Sequence, residues 1–156
     1  HSCGLIEPFL PDLIEAGLDV IQALQANTGM NVVDLKAKYG EKIAVGVDLK
    51  DGYVAIKGWT ETSGLTAEAF FAKMEALGVK TVICTDISRD GAMKGTNREL
   101  YRELSGKFAI DLIASGGVST LEDVQALAEM NLHGAIIGKA YYIGAIDLKT
   151  AIEVAL

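Results

Sequence analysis

Short, nearly continuous apolar runs constrain the fold of this chain more than any other feature of its sequence. Five such runs, rich in Val and Ile, lie at residues 18–24, 43–49, 81–87, 110–115 and 135–139. Strands of a parallel sheet covered on both faces have this pattern, because neither side of the strand faces water. Amphipathic stretches with a helical period lie between them, at residues 7–16, 32–39, 67–77, 97–105, 121–130 and 148–156. The alternation predicts a parallel α/β fold, built as one domain over residues 1–156.

The number of strands leaves the closure of the sheet open. Five strands are fewer than the eight that a closed (βα)8 barrel needs. The sequence therefore predicts a (βα)n fragment of a TIM barrel, which is either an open, flavodoxin-like sheet or is completed by self-association. Two units share a pattern in which an aspartate ends the strand and an Asp-Gly pair follows. Asp48 is followed by the pair at 51–52, and Asp86 by the pair at 90–91, which favours a barrel-type arrangement of loops.

Capping residues mark the ends of several predicted helices. Thr66 precedes one helical stretch, and Ser119 with Glu122 has the spacing of a capping box before another. Gly40 and Gly78 lie where glycine commonly ends a helix. These signals place the boundaries between the predicted units.

Composition excludes several classes of partner. Asp and Glu outnumber Lys and Arg by 21 to 14, which gives a formal net charge of −7. Nucleic-acid-binding proteins normally present a basic surface, so we expect no nucleic-acid partner. No apolar run approaches the ~18 residues of a membrane helix, and two cysteines are too few for a disulfide framework. We expect a cytoplasmic protein without a membrane partner, and phosphorylated small molecules stay candidate ligands.

The loops after the carboxyl ends of the strands are the expected place for functional residues. Asp48 lies there after an apolar run, where a carboxyl group could act as a proton donor or could cap its loop. Asp86, beside Thr85, has the same place one unit later. It could share acid–base chemistry or hold its own loop by hydrogen bonds, and the structural role is slightly favoured. Asp48, Thr85 and Asp86 are all candidate site residues.

Two glycine loops follow the last two predicted strands. Ser115, Gly116 and Gly117 lie between a strand and a helix, where backbone N–H groups can converge on an anion. Gly138 and Lys139 follow the next strand, and they could add another N–H and a cation. Each loop alone is a weak signal, but together they match the phosphate site that barrels build after their last two strands. We expect these residues to bind a phosphate ion or a phosphorylated ribotide.

The single tryptophan, Trp59, lies in a polar loop at residues 57–64. It could be a lid residue that stacks on a planar ring, or it could pack against a neighbouring loop.

Metal ligands are scarce. His1 and Cys3 could both bind zinc, but no third ligand lies near them in the sequence, so we expect no metal. Cys84, within an apolar run, is more typical of a small buried residue.

Several motifs stand in the order and spacing of one known family. They are Val45-Gly46-Val47-Asp48 with Asp51-Gly52, Gly58-Trp59, Thr85-Asp86-Ile87-Ser88-Arg89-Asp90-Gly91, Ala114-Ser115-Gly116-Gly117-Val118-Ser119 and Ile137-Gly138-Lys139-Ala140. From about Tyr39 to its end, the chain resembles the carboxyl-terminal half of the ProFAR isomerases. These enzymes of histidine biosynthesis carry out an Amadori rearrangement of a bisphosphorylated aminoimidazole carboxamide ribotide. The Gly58-Trp59 pair favours the isomerase over the related cyclase of the same pathway.

The resemblance implies catalysis by two aspartates, one that protonates the ribose ring oxygen and one that moves a proton from the adjacent carbon. Asp48 matches the aspartate of the carboxyl-terminal half, and Thr85 matches a threonine that contacts the substrate. The positions that match the phosphate site and the stacking loop are Gly116, Gly117, Gly138, Lys139 and Trp59. The other aspartate belongs to the amino-terminal half. We therefore expect little or no isomerase activity from this chain alone, and no cofactor.

Residues 1–38 differ from that family. They resemble the uroporphyrinogen decarboxylase and corrinoid methyltransferase superfamily, which also builds (βα)8 barrels, on the motifs at 1–4, 6–9 and 18–22. The resemblance implies a chimera of two barrel fragments, natural or engineered, joined near residues 38–43. The alternative function is then a barrel fragment that binds phosphate without catalysis. Exposed parallel strand edges would favour a homodimer or another form of self-association.

Overall fold

A six-stranded sheet organises the part of the chain that the computed structural model describes, residues 5–18 and 29–156. The strands are β1 (Ala44–Lys50), β2 (Tyr53–Ile56), β3 (Glu61–Thr66), β4 (Thr81–Asp86), β5 (Asp111–Ser115) and β6 (Gly134–Ala135). Their order in the sheet is β3-β2-β1-β4-β5-β6. β1, β4, β5 and β6 are parallel, whereas β2 and β3 form an antiparallel hairpin beside β1. The predicted α/β class, a (βα)n fragment of TIM-barrel type with a mostly parallel sheet, is confirmed, and the sheet is open within the described residues.

Seven α-helices lie in the described residues. They are α1 (Leu10–Glu15), α2 (Val32–Tyr39), α3 (Ala67–Ala76), α4 (Arg98–Lys107), α5 (Leu121–Glu129), α6 (Lys139–Tyr142) and α7 (Leu148–Ala155), with 3₁₀ turns at Glu7–Phe9 and Gly40–Lys42. Each predicted helical stretch overlaps one of these helices, and α4 extends two residues beyond the predicted end at 105. None of the helices in the described ranges has the length and apolarity to cross a membrane. The predicted strand at 18–24 lies almost entirely outside the described residues.

The main hydrophobic core covers one face of the sheet. Because β1, β4 and β5 are in parallel register, Val47, Cys84 and Ala114 form one row of neighbouring side chains. All three are almost completely buried, in one core with side chains of α3, α4 and α5 that include Phe71 and Tyr101. Burying a side chain as large as Phe71 contributes about 1.5–3 kcal/mol. The polar row described below lies on the opposite face.

A second, smaller core joins the amino-terminal helices to the start of β1. Leu10 of α1, Leu35 of α2 and Ile43 are each about 1% exposed and belong to it together with Met30. This cluster holds the described amino-terminal residues against the rest of the fold.

The hairpin β2–β3 corrects the prediction of a loop at residues 57–64. The two residues between β1 and β2, Asp51 and Gly52, have positive φ angles of 51° and 80°. A type I′ turn requires positive φ at both positions, and it reverses a strand into an antiparallel hairpin. An Asp-Gly pair between apolar segments is a strong hairpin signal, which our sequence analysis interpreted as part of a βα loop instead.

Two other boundaries differ from the prediction. The strand expected at 135–139 is only Gly134–Ala135, and Lys139 begins α6 rather than ending a strand. β6 lies at the sheet edge, so hydrogen bonds to β5 alone define it. The capping box of α5 is formed by Thr120 and Asp123, one residue beyond the predicted pair. The prediction for Thr66 is confirmed, since its hydroxyl accepts a hydrogen bond from the backbone N–H of Ala69.

Candidate functional site

The register of the parallel strands places three of the predicted site residues in one row. Asp48 of β1 is the neighbour of Thr85 of β4, and Thr85 is the neighbour of Ser115 of β5. Neighbouring strands lie about 4.8 Å apart, and residues paired in this way point to the same face. The face is the one opposite the main core. A carboxyl group and two hydroxyl groups therefore lie side by side near the carboxyl ends of the strands.

The carboxylate of Asp48 has one partner in the hairpin. The indole Nε1–H of Trp59 donates a hydrogen bond of 2.8 Å to Asp48 Oδ2. Asp48 is half-buried, whereas the Trp59 side chain is 44% exposed. The loop residue for which we weighed a lid against packing on a neighbouring loop thus lies directly against the predicted acid–base residue.

Asp86 is not the structural equivalent of Asp48, as the shared sequence pattern suggested. Its neighbour in β1 is Leu49, one residue after Asp48, so the two aspartates point to opposite faces of the sheet. Asp86 is buried, and its carboxylate accepts hydrogen bonds from the backbone N–H and hydroxyl of Ser88 and from Asn97 Nδ2. These bonds hold the loop between β4 and α4. They support the structural role for Asp86, and its role as a binding residue stays a prediction.

The glycine pair after β5 is in close contact with the loop after β4. Gly116 and Gly117 have positive φ angles of 91° and 77°. A Cβ atom at Gly116 would lie 2.5 Å from the carbonyl oxygen of Asp86, and one at Gly117 would lie 2.5 Å from that of Gly95. Close backbone packing therefore excludes any side chain here, in addition to the φ angles that favour glycine. Both positions require glycine even without a ligand.

One pocket brings the two predicted glycine loops together. It is lined by residues of the β5–α5 loop, the β4–α4 loop and the β6–α6 segment, including Ser115, Gly116, Gly117, Gly138 and Lys139. The Lys139 ammonium group donates a hydrogen bond of 3.0 Å to the carbonyl oxygen of Gly91. Lys139 is exposed, so its charge lies at the pocket rim. The five residues that we predicted as a phosphate site do lie together.

A buried aspartate that our sequence analysis missed holds the β5–α5 loop, part of which lines this pocket. Asp123 Oδ2 accepts hydrogen bonds from the backbone N–H and hydroxyl of Ser119, and Oδ1 accepts them from Arg98. Burial acts to raise the pKa of Asp123, but the hydrogen bonds from Arg98 and Ser119 outweigh it and hold that pKa below its ordinary value of 3.8. The Ser119 hydroxyl also accepts a hydrogen bond from the backbone N–H of Gly95. The spacing of Thr120 and Asp123 is a sequence signal for the capping box of α5. It carries no signal for the ion pair between Asp123 and Arg98.

A buried tyrosine joins β4 to β5 at Ser115, a residue that lines the same pocket. The Tyr101 hydroxyl lies 3.1 Å from the carbonyl oxygen of Cys84 and accepts a hydrogen bond from the backbone N–H of Ser115. Burial raises the pKa of Tyr101, so the hydroxyl keeps its proton and stays a donor. Burial also raises the pKa of the Cys84 thiol, which is consistent with a small buried residue rather than a nucleophile. Nothing in the sequence distinguished Tyr101 from an ordinary core aromatic residue.

Metal binding receives no support from the geometry. Within residues 5–18 and 29–156, no group of three or more His, Cys, Asp or Glu side chains is placed to hold a metal ion. His1 and Cys3, the pair weighed as zinc ligands, lie outside the described residues.

Comparison with known proteins places this geometry in a family. The family described as "Histidine biosynthesis protein" matches residues 13–147. Three relatives share the name 1-(5-phosphoribosyl)-5-((5-phosphoribosylamino)methylideneamino) imidazole-4-carboxamide isomerase. That of Ruminiclostridium cellulolyticum is 50% identical over 127 residues, which is 81% of this chain and 53% of the relative. That of Acetivibrio thermocellus is 49% identical, over 75% of this chain and 49% of the relative.

The relative from Clostridioides difficile is 43% identical over 146 residues, which is 92% of this chain and 61% of the relative. The chain thus spans about half the length of the relatives it matches. The family match begins at residue 13, inside the segment 1–38 for which we expected a different superfamily. These matches therefore do not support the predicted change of family near residues 38–43. The identity over most of the chain and the family match lead to the same conclusion: this chain belongs to the histidine biosynthesis protein family.

Proposed function

We propose that this chain is the carboxyl-terminal half of an aldose–ketose isomerase of histidine biosynthesis, with Asp48 as its acid–base residue. The substrate class is the bisphosphorylated imidazole carboxamide ribotide on which the named relatives act. A cytoplasmic location and the absence of a redox cofactor are part of the same proposal.

One observation carries the proposal. A single end of the sheet holds the row of Asp48, Thr85 and Ser115, and the same Ser115 lines the pocket of the two glycine loops. A phosphate in that pocket would direct the attached ribose along the row toward Asp48. Placing a reactive group beside an acid–base residue in this way accelerates a proton transfer by orientation as well as by chemistry.

The proposed reaction moves protons and breaks one ring bond. Opening of the ribose transfers a proton to the ring oxygen while the bond from that oxygen to C1 breaks and the amino nitrogen on C1 forms a C1=N double bond with its electron pair. Loss of the proton on C2 then gives an enolamine, which rearranges to the aminoketose. The two transfers need two carboxyl groups, of which Asp48 supplies one. The second would come from the part of the relatives that this chain does not match.

The remaining residues of the site would bind and orient the ligand. The backbone N–H groups of Gly116 and Gly117 and the ammonium group of Lys139 suit a phosphate, because both kinds of group donate hydrogen bonds to anionic oxygens. The Thr85 hydroxyl lies between Asp48 and Ser115 and would contact the ribose hydroxyls.

A second candidate function is a barrel fragment that binds phosphate but lacks catalysis. It is favoured because the chain spans about half the length of the relatives it matches, whereas the proposed reaction needs two carboxyl groups. Removing one general acid or base commonly costs about 10²–10⁴-fold in rate. We therefore propose that the chain alone has little activity. The chimeric origin of residues 1–38 stays a prediction.

Complementation distinguishes the two functions. The chain would be mixed with the part of the Ruminiclostridium cellulolyticum isomerase that it does not match, and turnover of the ribotide would be followed. We expect turnover that is lost in Asp48→Asn and kept in Asp51→Asn, which changes an exposed aspartate three residues away. Phosphate binding without any turnover in the mixture would contradict catalysis and leave the phosphate-binding fragment. Turnover by the chain alone that Asp48→Asn abolishes would contradict the expectation of little activity.

A further inference from the structure

A buried threonine outside the candidate pocket holds one of the peptide groups that line it. The Thr96 hydroxyl donates a hydrogen bond of 3.1 Å to the carbonyl oxygen of Gly116. Thr96 belongs to the loop between β4 and α4 and is only 7% exposed. Gly116 and Gly117 line the pocket, whereas Thr96 is not part of its described lining. The hydroxyl therefore reaches the glycine pair from outside the pocket.

Thr96 is itself held in place by bonds on both sides of it. The backbone N–H of Gly95 donates a hydrogen bond of 3.2 Å to the Ser119 hydroxyl. Arg98 forms an ion pair of 2.8 Å with the buried Asp123, and its backbone N–H donates a hydrogen bond of 3.0 Å to the carbonyl oxygen of Thr96. Because Ser119 and Asp123 follow the glycine pair in the same loop and in α5, these bonds fix Thr96 relative to that pair.

The trans geometry of the peptide group connects this bond to the pocket. The group takes its carbonyl oxygen from Gly116 and its N–H from Gly117. No peptide bond in the described ranges is cis, and the C=O and N–H of a trans peptide group point in opposite directions. A carbonyl oxygen bound to Thr96 therefore turns the N–H of Gly117 away from Thr96. Within residues 5–18 and 29–156, no atom accepts a hydrogen bond from this N–H, so it is available to a ligand.

The glycine pair does not hold this orientation by itself. Gly116 and Gly117 have no Cβ atoms, so a peptide group between them meets little steric resistance to rotation. The close packing of the two loops restricts both Cα atoms, but the peptide group can still turn between them. A half turn would replace the N–H at the pocket by a carbonyl oxygen. That oxygen would repel a phosphate, because both carry negative charge.

The hydroxyl of Thr96 opposes this half turn. Thr96 and Gly116 are both buried, so a flipped peptide group would leave a hydroxyl and a carbonyl partner separated in a place that water reaches poorly. Buried polar groups without a hydrogen-bond partner are costly. The hydroxyl therefore selects the orientation that presents a donor to the pocket.

We propose that Thr96 is a positioning residue: its hydroxyl holds the Gly116 carbonyl oxygen so that the N–H of Gly117 faces the pocket and binds an anionic oxygen of a phosphate. The proposal rests on the proposed function, because it takes the pocket as a phosphate site. Thr96 acts through the glycine pair and does not contact the ligand.

Variants of Thr96 separate the hydroxyl from the rest of the side chain. Thr96→Val removes the hydroxyl at nearly the same volume, so we expect the Kd for inorganic phosphate to rise by about ten-fold, the equivalent of one charge-assisted hydrogen bond. Thr96→Ser keeps the hydroxyl and should bind phosphate as the wild type does. Thr66→Val is the matched control, because it removes the hydroxyl that caps α3, outside the pocket. Amide shifts in NMR titrations with phosphate measure each Kd.

Two outcomes of these titrations would overturn the proposal. One is equal affinity of the wild type and folded Thr96→Val. The other is equal weakening in Thr66→Val, because a general loss of stability would then explain the effect. The wild type alone gives a further check, since phosphate should shift the amide proton of Gly117 downfield. A shift at the amide of Lys139 without one at Gly117 would overturn the proposal without any variant.

A ligand-free measurement keeps this test apart from the proposed function. Residual dipolar couplings report the direction of the Gly117 N–H bond, and they should agree between the wild type and Thr96→Ser but differ in Thr96→Val. Equal couplings in all three proteins would overturn the proposal whether or not phosphate binds. A wild-type protein whose amides do not respond to phosphate would contradict the proposed function, and the couplings would then decide the orientation alone.

Discussion

At the scale of single residues, the glycine pair after β5 lets the β5–α5 loop approach the β4–α4 loop more closely than a residue with a Cβ atom would allow. The backbone of Gly117 lies against that of Gly95, where a Cβ atom would come within 2.5 Å of a carbonyl oxygen. The atoms that it would meet are backbone atoms of Gly95 and the Cβ atom of Arg89, and none of these is the far end of a flexible side chain. The pocket at the sheet edge therefore depends on the absence of a side chain as much as on the presence of Lys139.

Gly117→Ala should destabilise the protein severely. The variant combines a left-handed backbone angle with a backbone clash, so we expect a loss of about 3 kcal/mol or more. Gly91→Ala is the matched control, because Gly91 also has a positive φ angle, 63°, but open space around its Cα atom. It should lose only about 1–2 kcal/mol. Urea unfolding midpoints measure both, and equal losses would contradict the packing argument.

The buried Asp123 should make stability sensitive to acid. Its pKa is lowered in the folded state, so the unfolded chain binds protons more readily. The resulting stability is fully present above the ordinary value of 3.8 and is lost as the pH falls through the lower folded value. Urea midpoints should therefore fall between pH 5 and pH 2 more steeply in the wild type than in Asp123→Asn. Parallel curves for the two proteins would contradict this assignment.

At the scale of elements, the hairpin β2–β3 has no fully buried residue, and β3 is exposed along its whole length. We expect the backbone amides of β2 and β3 to exchange with deuterium far faster than those of β4, whose side chains are almost all buried. Gly52→Ala, which opposes the type I′ turn, should speed exchange in the hairpin and leave β4 unchanged. Mass spectrometry of peptides after timed exchange measures this. If the amides of β3 exchanged as slowly as those of β4, the prediction would be wrong, and the hairpin would be as stably folded as the centre of the sheet.

Local patterns predicted most of the elements, because helices and buried strands leave a period in the sequence. Helix α2, Val32–Tyr39, has the predicted bounds, and β4 differs by one residue. The hairpin was missed because the exposed β3 has no apolar pattern to read, although Asp51-Gly52 carried the turn signal.

The candidate site was predicted by residue type, but its arrangement was not. Asp48 and Asp86 have similar sequence surroundings, and only the register shows that they lie on opposite faces. The contacts of Trp59, Tyr101 and Arg98 join residues far apart in sequence or on different elements. No local pattern encodes such contacts.

At the scale of the whole molecule, the described residues contribute four parallel strands, half of the eight in a closed (βα)8 barrel. β6 has a partner on one side only, and β1 pairs with the hairpin only at its end. Among the described residues, the outer side of β6 and most of the hairpin side of β1 therefore have no strand partner and could pair with another strand. Two copies joined edge to edge would reach the count of eight.

We therefore propose self-association, and we expect a dimer in sedimentation velocity at micromolar concentration. Ile136 follows β6 and is 40% exposed, so Ile136→Lys should shift the protein toward monomer by placing a charge at the edge. Leu77→Lys is the control, since Leu77 is similarly exposed but lies at the end of α3. A wild-type monomer at every concentration would contradict the proposal.

Asp48 and the glycine pocket share one end of the sheet, and this has a consequence for such a pair of copies. The two-fold axis of the dimer would pass through the opening at the carboxyl ends of the strands, and it would repeat every functional group there. The opening would then hold two aspartates and two phosphate pockets from a single gene. A ligand with two unlike ends could enter in either of two orientations of equal energy. Two different halves would be needed to distinguish one end of the ligand from the other. A symmetric assembly would therefore bind such a ligand but would not fix its orientation.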